Sequence, residues 1–228
     1  MVATLVLGTS AKAWGFESLH PHQNMLGKTM GAKLHYLILD YIQDLDGAIV
    51  EIGSNNGEYS TDFYAGLVYS TKYKFYTVDI EETVLARSKE LEAKVPNMKT
   101  FLMSGENFLE NVFPRFNEKI CYAYLDNFDW NAYENHPRDN WPDWMIEIDE
   151  KYKRHGLELT QENSANVHLE QTKLIEKYAS SKCIIQFDDT YGDFKTFTGK
   201  GITAVPYLQS KGWKILVCQD GAVVMSNY

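Results

Sequence analysis

AIVEIGSNNGEYSTDF, residues 48–63, joins an apolar run to a turn with two glycines, Gly53 and Gly57, and then to a segment with helical spacing. A glycine between a strand and a helix lets the backbone pass close to a ligand. The stretch therefore predicts a strand, a ligand-binding turn and a helix, the first unit of an open nucleotide-binding sheet.

Short apolar segments alternate with amphipathic ones along the rest of the chain. Further strands are predicted at 74–80, 99–105, 120–126 and 182–189, and helices at 33–45, 60–70, 82–95 and 168–180. This repetition predicts an α/β fold, a Rossmann-like, doubly wound, mostly parallel sheet with helices on both faces. Two apolar segments around the final turn, in residues 212–228, predict an antiparallel C-terminal hairpin.

Length and charge restrict the class of protein. We expect one domain over residues 1–228, since 44% of the residues are hydrophobic. A net charge of −9 argues against nucleic-acid and membrane-surface partners, which require a basic face. The three cysteines lack CxxC spacing and are expected to be buried free thiols of a cytoplasmic protein. Whether the chain forms a homo-oligomer is left open.

Two segments stand outside the alternation of strands and helices. Residues 1–32 are expected to form an N-terminal arm or lid. Residues 127–165 form an insertion that carries three of the five tryptophans and is too long for an ordinary connection. This insertion is either a surface elaboration or a cover over an acceptor site, and the sequence leaves both open.

The glycine turn indicates what kind of ligand it holds. A dinucleotide-binding turn needs a glycine where Asn55 stands, so a pyrophosphate ligand is disfavoured. A ligand with an amino-acid end and a nucleoside fits better. Glu51 precedes the turn, and Asp79 ends the second strand, where a carboxylate accepts ribose hydroxyls. Residues 104–108, after the third strand, would border an adenine.

The segments VEIGSNNG and YTVDIEE resemble the first two motifs of class I S-adenosylmethionine-dependent methyltransferases, and the resemblance covers most of residues 33–228. It implies S-adenosylmethionine as the methyl donor, although the middle glycine of the first motif is missing. The donor-binding set that it implies consists of Glu51, Gly53, Ser54, Asn55, Gly57, Asp79, Gly105, Glu106, Asn107 and Asp126.

Three acids follow the fourth and fifth predicted strands: Asp126, and the adjacent Asp188 and Asp189. Carboxylates that converge at neighbouring strand ends repel one another unless a proton or a cation intervenes, and Mg²⁺ prefers oxygen ligands. The sequence therefore predicts a divalent cation, Mg²⁺, at these three residues, which are also the candidate catalytic residues. The alternative is that the acids only cap loops or face solvent.

This acid pattern is similar to that of metal-dependent O-methyltransferases of the catechol and macrocin-type sugar enzymes. The resemblance implies that the metal binds a substrate hydroxyl and lowers its pKa. Catechol-type enzymes have a lysine where this chain has Asp129, so the resemblance points to the sugar type. A carboxylate of the pair then doubles as base, with His136 and Lys200 as outside candidates; Lys200 is expected to be a solvated lysine of a mobile turn.

The sequence thus predicts an S-adenosylmethionine-dependent, Mg²⁺-assisted O-methyltransferase. Its partner is expected to be a small polar or sugar-like hydroxyl acceptor. Three alternatives stay open: a metal-independent N- or carboxyl-methyltransferase, a nucleotide- or NAD-binding oxidoreductase on the same fold, and a scaffold without catalysis.

Overall fold

The computed structural model describes residue 35 and residues 38–54, 59–83 and 85–228. The predicted N-terminal arm lies outside these described residues. So do the turn residues Asn55 and Gly57 of the predicted donor-binding set.

Nine strands and seven α-helices follow one another in the described part of the chain. The strands are β1 Ala48–Ile52, β2 Phe75–Asp79, β3 Met98–Leu102, β4 Ile120–Leu125, β5 Ala179–Phe187, β6 Thr190–Gly192, β7 Phe197–Gly199, β8 Lys214–Gln219 and β9 Ala222–Ser226. The helices are α1 Ile38–Tyr41, α2 Ser60–Tyr69, α3 Leu85–Glu92, α4 Gly105–Asn107, α5 Asp143–Arg154, α6 Gln161–Tyr178 and α7 Ala204–Ser210. Short 3₁₀ turns cover Ile42–Asp44, Phe113–Phe116 and Arg138–Asn140, and a π turn covers Phe108–Val112.

Seven strands form one sheet in the order β3-β2-β1-β4-β5-β9-β8. The first five are parallel, whereas β9 pairs antiparallel with both β5 and β8. This order and these directions are those of a Rossmann-like, doubly wound sheet with an antiparallel pair at one edge, and they confirm the predicted fold class and the C-terminal hairpin. Strand order reverses between β1 and β4, which is where an open α/β sheet forms its ligand cleft.

Helices cover both faces of the sheet because the inner strands are apolar on both sides. Val50 and Ile52 of β1 pack with the residues after β3 and with α6 and α7 in one buried cluster, while Ile49 packs with α1, α2 and α3 in the other. The carboxyl ends of the parallel strands are held in line by backbone bonds, from Asp126 N to Ile52 O and from Asp188 N to Leu125 O, at 2.9 and 3.0 Å.

Helix α6 differs from the prediction, since it begins at Gln161 rather than at residue 168. The Thr160 hydroxyl caps it by accepting the N–H of Asn163 at 3.1 Å. The segment 127–165 is not irregular throughout, because it contains α5 and its own apolar cluster of Phe128, Met145, Tyr152 and Leu159. The four residues of this cluster lie far apart along the chain, so no periodic pattern in the sequence reveals it.

Cys121 and Cys183 are buried and Cys218 is half-buried, all as free thiols. Among the described helices, none has the length and apolar content that crossing a membrane would require.

Candidate functional site

The turn after β1 passes against the residues that follow β4. Gly53 has a φ of +94°, and a Cβ there would lie 2.6 Å from both Asp126 O and Asn127 N. A side chain would therefore be strained and would also collide with backbone, so glycine is required. At this point the backbone that follows β1 is in direct contact with the backbone that follows β4.

Asp79 joins the end of β2 to the same turn. Its Oδ2 accepts the backbone N–H of Ser54 at 3.1 Å, and its Oδ1 accepts that of Glu81 at 3.0 Å. Burial raises the pKa of Asp79, although these two N–H bonds and the charge of Lys151 oppose the shift. The structure thus brings together Gly53, Ser54 and Asp79, three residues of the predicted donor-binding set.

Glu51 lies on β1, fully buried below the turn. Its Oε2 accepts the hydroxyls of Thr61 at 2.7 Å and Thr77 at 2.6 Å, while its Oε1 has no hydrogen-bond partner among the described residues. Burial raises the pKa of Glu51 to about 7. A buried oxygen without a donor calls for an explanation, such as a proton on the carboxyl itself, a water molecule or a ligand group.

Gly105, Glu106 and Asn107 form α4 at the end of β3, where the Ser104 hydroxyl accepts the N–H of Asn107 at 3.3 Å. A Cβ on Gly105 would lie 2.5 Å from the Ile52 side chain. Gln171 of α6, which the sequence analysis did not single out, donates from Nε2 to Glu106 at 2.9 Å, and its buried Oε1 has no partner in the described part of the chain. This second unpaired oxygen borders the predicted adenine position.

Asp126, Asp188 and Asp189 converge at the ends of β4 and β5. One carboxylate oxygen of each lies within 4.8 Å of the other two, and all three residues are half-buried. Burial and the charge of Asp126 raise the pKa of Asp188 above that of an ordinary aspartate. The arrangement is the acid cluster that the strand ends predict.

Lys200 lies inside this acid cluster, and its side chain is fully buried. Its Nζ is 2.7 Å from Asp126 Oδ1, 3.1 Å from Asp189 Oδ2 and 3.6 Å from Asp129 Oδ1. Burial disfavours the charged amine, but the surrounding carboxylates, Asp126 first among them, hold the pKa of Lys200 well above its usual value. The expectation of a solvated lysine is wrong, and a permanently protonated amine is unsuited to act as base.

The small β6–β7 hairpin delivers Lys200 to the cluster. Lys200 N donates to Asp189 O at 3.1 Å, and Gly201 N donates to Thr190 Oγ1 at 2.9 Å. Gly199 has a φ of +80°, and a Cβ there would lie 2.0 Å from Asp189 O. The two glycines that flank Lys200 are therefore needed to bring it against Asp189, and this GKG segment is the signal that the sequence analysis undervalued.

The acid cluster offers only oxygen ligands, which suits Mg²⁺. Two of the same carboxylates, those of Asp126 and Asp189, already contact the Lys200 ammonium. A metal bound at about 2.1 Å from the carboxylates would lie next to a second cation and be repelled by it. The residues as they stand do not fit Mg²⁺ beside Lys200.

His168 of α6 is a further buried titratable group. Its Nδ1 pairs with Ser164 O at 2.8 Å, so the Nδ1–H donates, and the buried Nε2 is an unprotonated acceptor to which none of the described residues donates. Burial, helped by the charge of Lys200, lowers the pKa of His168 to about 3. His136, the predicted outside base, lies instead on an exposed turn of the insertion.

The insertion contacts both sides of the cleft. On the acid side, Asp129 Oδ1 of the insertion lies 3.6 Å from Lys200 Nζ. On the Asp79 side, His155 at the end of α5 pairs with Glu81. The segment thus spans from the end of β4 to the end of β2.

No family model matches the chain, and no curated protein matches it in sequence. Solved structures are similar in fold. SMU.1697c from Streptococcus mutans in complex with SAH is 13% identical, with a TM-score of 0.47 over 83% of this chain and 94% of that one. A ribosomal protein L11 methylase from Lactobacillus delbrueckii subsp. bulgaricus is 7% identical, with a TM-score of 0.48 over 86% of this chain and 76% of that one. An rRNA methylase from Streptococcus thermophilus is 15% identical, with a TM-score of 0.47 over 86% of this chain and 93% of that one.

Proposed function

We propose that the protein is an S-adenosylmethionine-dependent methyltransferase that methylates a hydroxyl of a small polar or sugar-like compound. The observation that carries this proposal is the position of Gly53. The turn there bonds to Asp79 through Ser54 on one side and touches the backbone of Asp126 on the other. A donor held by the turn would therefore face the acid cluster directly.

The donor side of the cleft offers complementary groups for a nucleoside with an amino-acid end. Asp79 presents a carboxylate suited to two ribose hydroxyls. The unpaired buried oxygens of Glu51 and Gln171 are acceptors for N–H groups such as an ammonium or an exocyclic amine. The bound donor supplies an electrophilic methyl group on a sulfonium.

The acceptor side would hold and deprotonate the hydroxyl. Asp126 and Asp189 keep 29% and 47% of their side-chain surface exposed, so both reach the cleft as hydrogen-bond acceptors for a polyol. We assign the proton transfer to one of the two adjacent carboxylates, Asp188 or Asp189, because both lie beside Asp126 at the end of β5.

The insertion 127–165 supports a closed acceptor pocket. Its contacts with Lys200 on one side and Glu81 on the other support a cover over the cleft, which would exclude water from the hydroxyl. Mg²⁺ assistance was part of the sequence prediction and stays a prediction, supported by the oxygen ligands of the acid cluster and opposed by the position of Lys200.

Calorimetric titration with S-adenosylhomocysteine tests the donor site first. We expect saturable binding at one site. Absence of binding in folded protein would overturn the proposal and favour NAD or a nucleotide sugar, to be titrated in the same way. The acceptor is then sought with methyl-labelled donor and polyol, amine and carboxylate compounds. A label released by mild base would identify a methyl ester and contradict the hydroxyl acceptor.

A further inference from the structure

We infer that the Lys200 ammonium is the resident cation of the acid cluster and takes the place that a divalent metal ion would otherwise hold. This inference rests on the proposed function, because it assigns how the acceptor side of the same cleft is held together. It makes Lys200 a positioning residue that acts through Asp126 and Asp189.

The contacts of Lys200 are those of a central cation rather than of a surface ion pair. Its Nζ approaches Asp126 and Asp189 at 2.7 and 3.1 Å, with no exposed side-chain surface. A protonated amine so enclosed bonds to carboxylates strongly, since water does not compete. It is the one basic side chain whose ion pairs within the described residues reach this cluster.

A metal ion and this ammonium would compete for the same carboxylates. Both Asp126 and Asp189 belong to the three-carboxylate group with metal-like spacing, and both point an oxygen at Nζ. Two cations sharing these oxygens would lie about 3–4 Å apart in a partly buried site, where their repulsion is poorly screened. Metal binding therefore requires Lys200 to leave.

The backbone around Lys200 makes such a departure costly. The bonds from Lys200 N to Asp189 O and from Gly201 N to Thr190 Oγ1 lock the lysine to the residues after β5. The Gly199 Cα lies so close to Asp189 O that no side chain fits between them. Lys200 and Asp189, one of the carboxylates that contact it, thus lie at the two ends of the same β6–β7 hairpin.

The function of this arrangement is to keep several acids together in the absence of a metal. Asp126, Asp129 and Asp189 surround one positive charge, which lowers their mutual repulsion and fixes the two nearest carboxylates.

Titration with Mn²⁺, followed by electron paramagnetic resonance, tests the inference without an activity assay. The proteins compared are the wild type, Lys200→Met, Lys200→Arg and the control Lys214→Met, whose lysine is exposed on β8. We expect Mn²⁺ to bind Lys200→Met at one site at least about tenfold more tightly than the other three proteins. Adding Asp189→Asn to Lys200→Met should abolish that site.

Two results would overturn the inference. One is a tight Mn²⁺ site in the wild type that Asp189→Asn removes, since the metal would then be resident beside Lys200. The other is folded Lys200→Met that gains no Mn²⁺ affinity. If Lys200→Met does not fold, as judged by circular dichroism, the wild-type and Lys200→Arg titrations decide, because a site in either contradicts the resident ammonium and its absence in both supports it.

Binding of S-adenosylhomocysteine, measured on the same wild-type sample, separates this inference from the proposed function. No donor binding together with a metal-free acid cluster would reject the methyltransferase and retain the role of Lys200. Donor binding together with a wild-type metal site would retain the methyltransferase and reject the role of Lys200.

Discussion

Ser54 donates its backbone N–H to the Asp79 carboxylate over 3.1 Å, so the glycine turn after β1 and the acid at the end of β2 form one unit. A ligand that displaced or joined this bond would contact both. The same turn lies against Asp126, and the two halves of the cleft therefore share a common wall.

Asp79→Ala should weaken S-adenosylhomocysteine binding by at least about tenfold, the loss of one charge-assisted hydrogen-bonding group. The matched control is Asp46→Ala. Asp46 lies just before the amino end of β1, away from the carboxyl strand ends that form the cleft, and 94% of its side chain is exposed. Calorimetry on both variants measures the effect. Equal affinities in the two variants would contradict a donor site at Asp79.

Gly53→Ala should lower the free energy of unfolding by about 1–3 kcal/mol more than Gly212→Ala does. Both glycines have similar dihedrals, with φ of +94° and +89°, but only the Gly53 Cβ would strike backbone, whereas Gly212 has nothing within 4 Å. The difference between them isolates the close approach from the strain of a positive φ. Urea unfolding of the two variants provides the comparison, and equal losses would show that the turn yields easily.

Stability should depend on pH through His168. Its folded pKa of about 3 lies below the ordinary 6.5, so the unfolded chain binds a proton that the native chain does not as the pH falls below 6.5. The native state therefore loses up to about 1.4 kcal/mol per pH unit from this group.

His168→Gln removes this titration, and the free energy of unfolding of the wild type relative to the variant should fall between pH 6.5 and pH 4.5. Taking the difference cancels the opposite contribution of Glu51, whose pKa is raised to about 7 by burial. A difference that stays constant with pH would mean that His168 is protonated in the native state.

Tyr122→Phe should destabilise the protein by about 1–3 kcal/mol, because it leaves buried partners without a hydrogen bond. The Tyr122 hydroxyl donates to Gln186 Oε1 at 2.6 Å and lies 2.9 Å from the Tyr64 hydroxyl. Tyr191→Phe, at an exposed position, is the control and should change stability by less than about 0.5 kcal/mol. Thermal or urea unfolding distinguishes the two variants. Equal stabilities would show that the buried hydrogen bonds of Tyr122 do not stabilise the protein.

The sheet and its strand ends could be predicted from sequence because both follow from local patterns. Apolar runs bounded by polar residues mark β1, β2 and β4, and parallel strands bring Asp79 and Asp126 to one edge. Convergence of the acids needs only the strand order, which the alternation of strands and helices strongly restricts.

Lys200, Gln171 and His168 could not be placed from sequence because their burial depends on contacts distant along the chain. A lysine between two glycines is typical of a solvent-exposed turn, and only the pairing of β6 with β7 reverses that expectation. Gln171 and His168 look like ordinary polar positions of an amphipathic helix until α6 packs against the residues after β3 and β4.

A cation carried on a side chain has properties that a diffusible ion lacks. Lys200 is present in one copy per chain and reaches Asp189 as soon as the β6–β7 hairpin closes. Its supply is independent of the ionic composition around the protein, and dilution does not remove it. The positive charge opposite Asp126 and Asp189 is consequently supplied by folding itself.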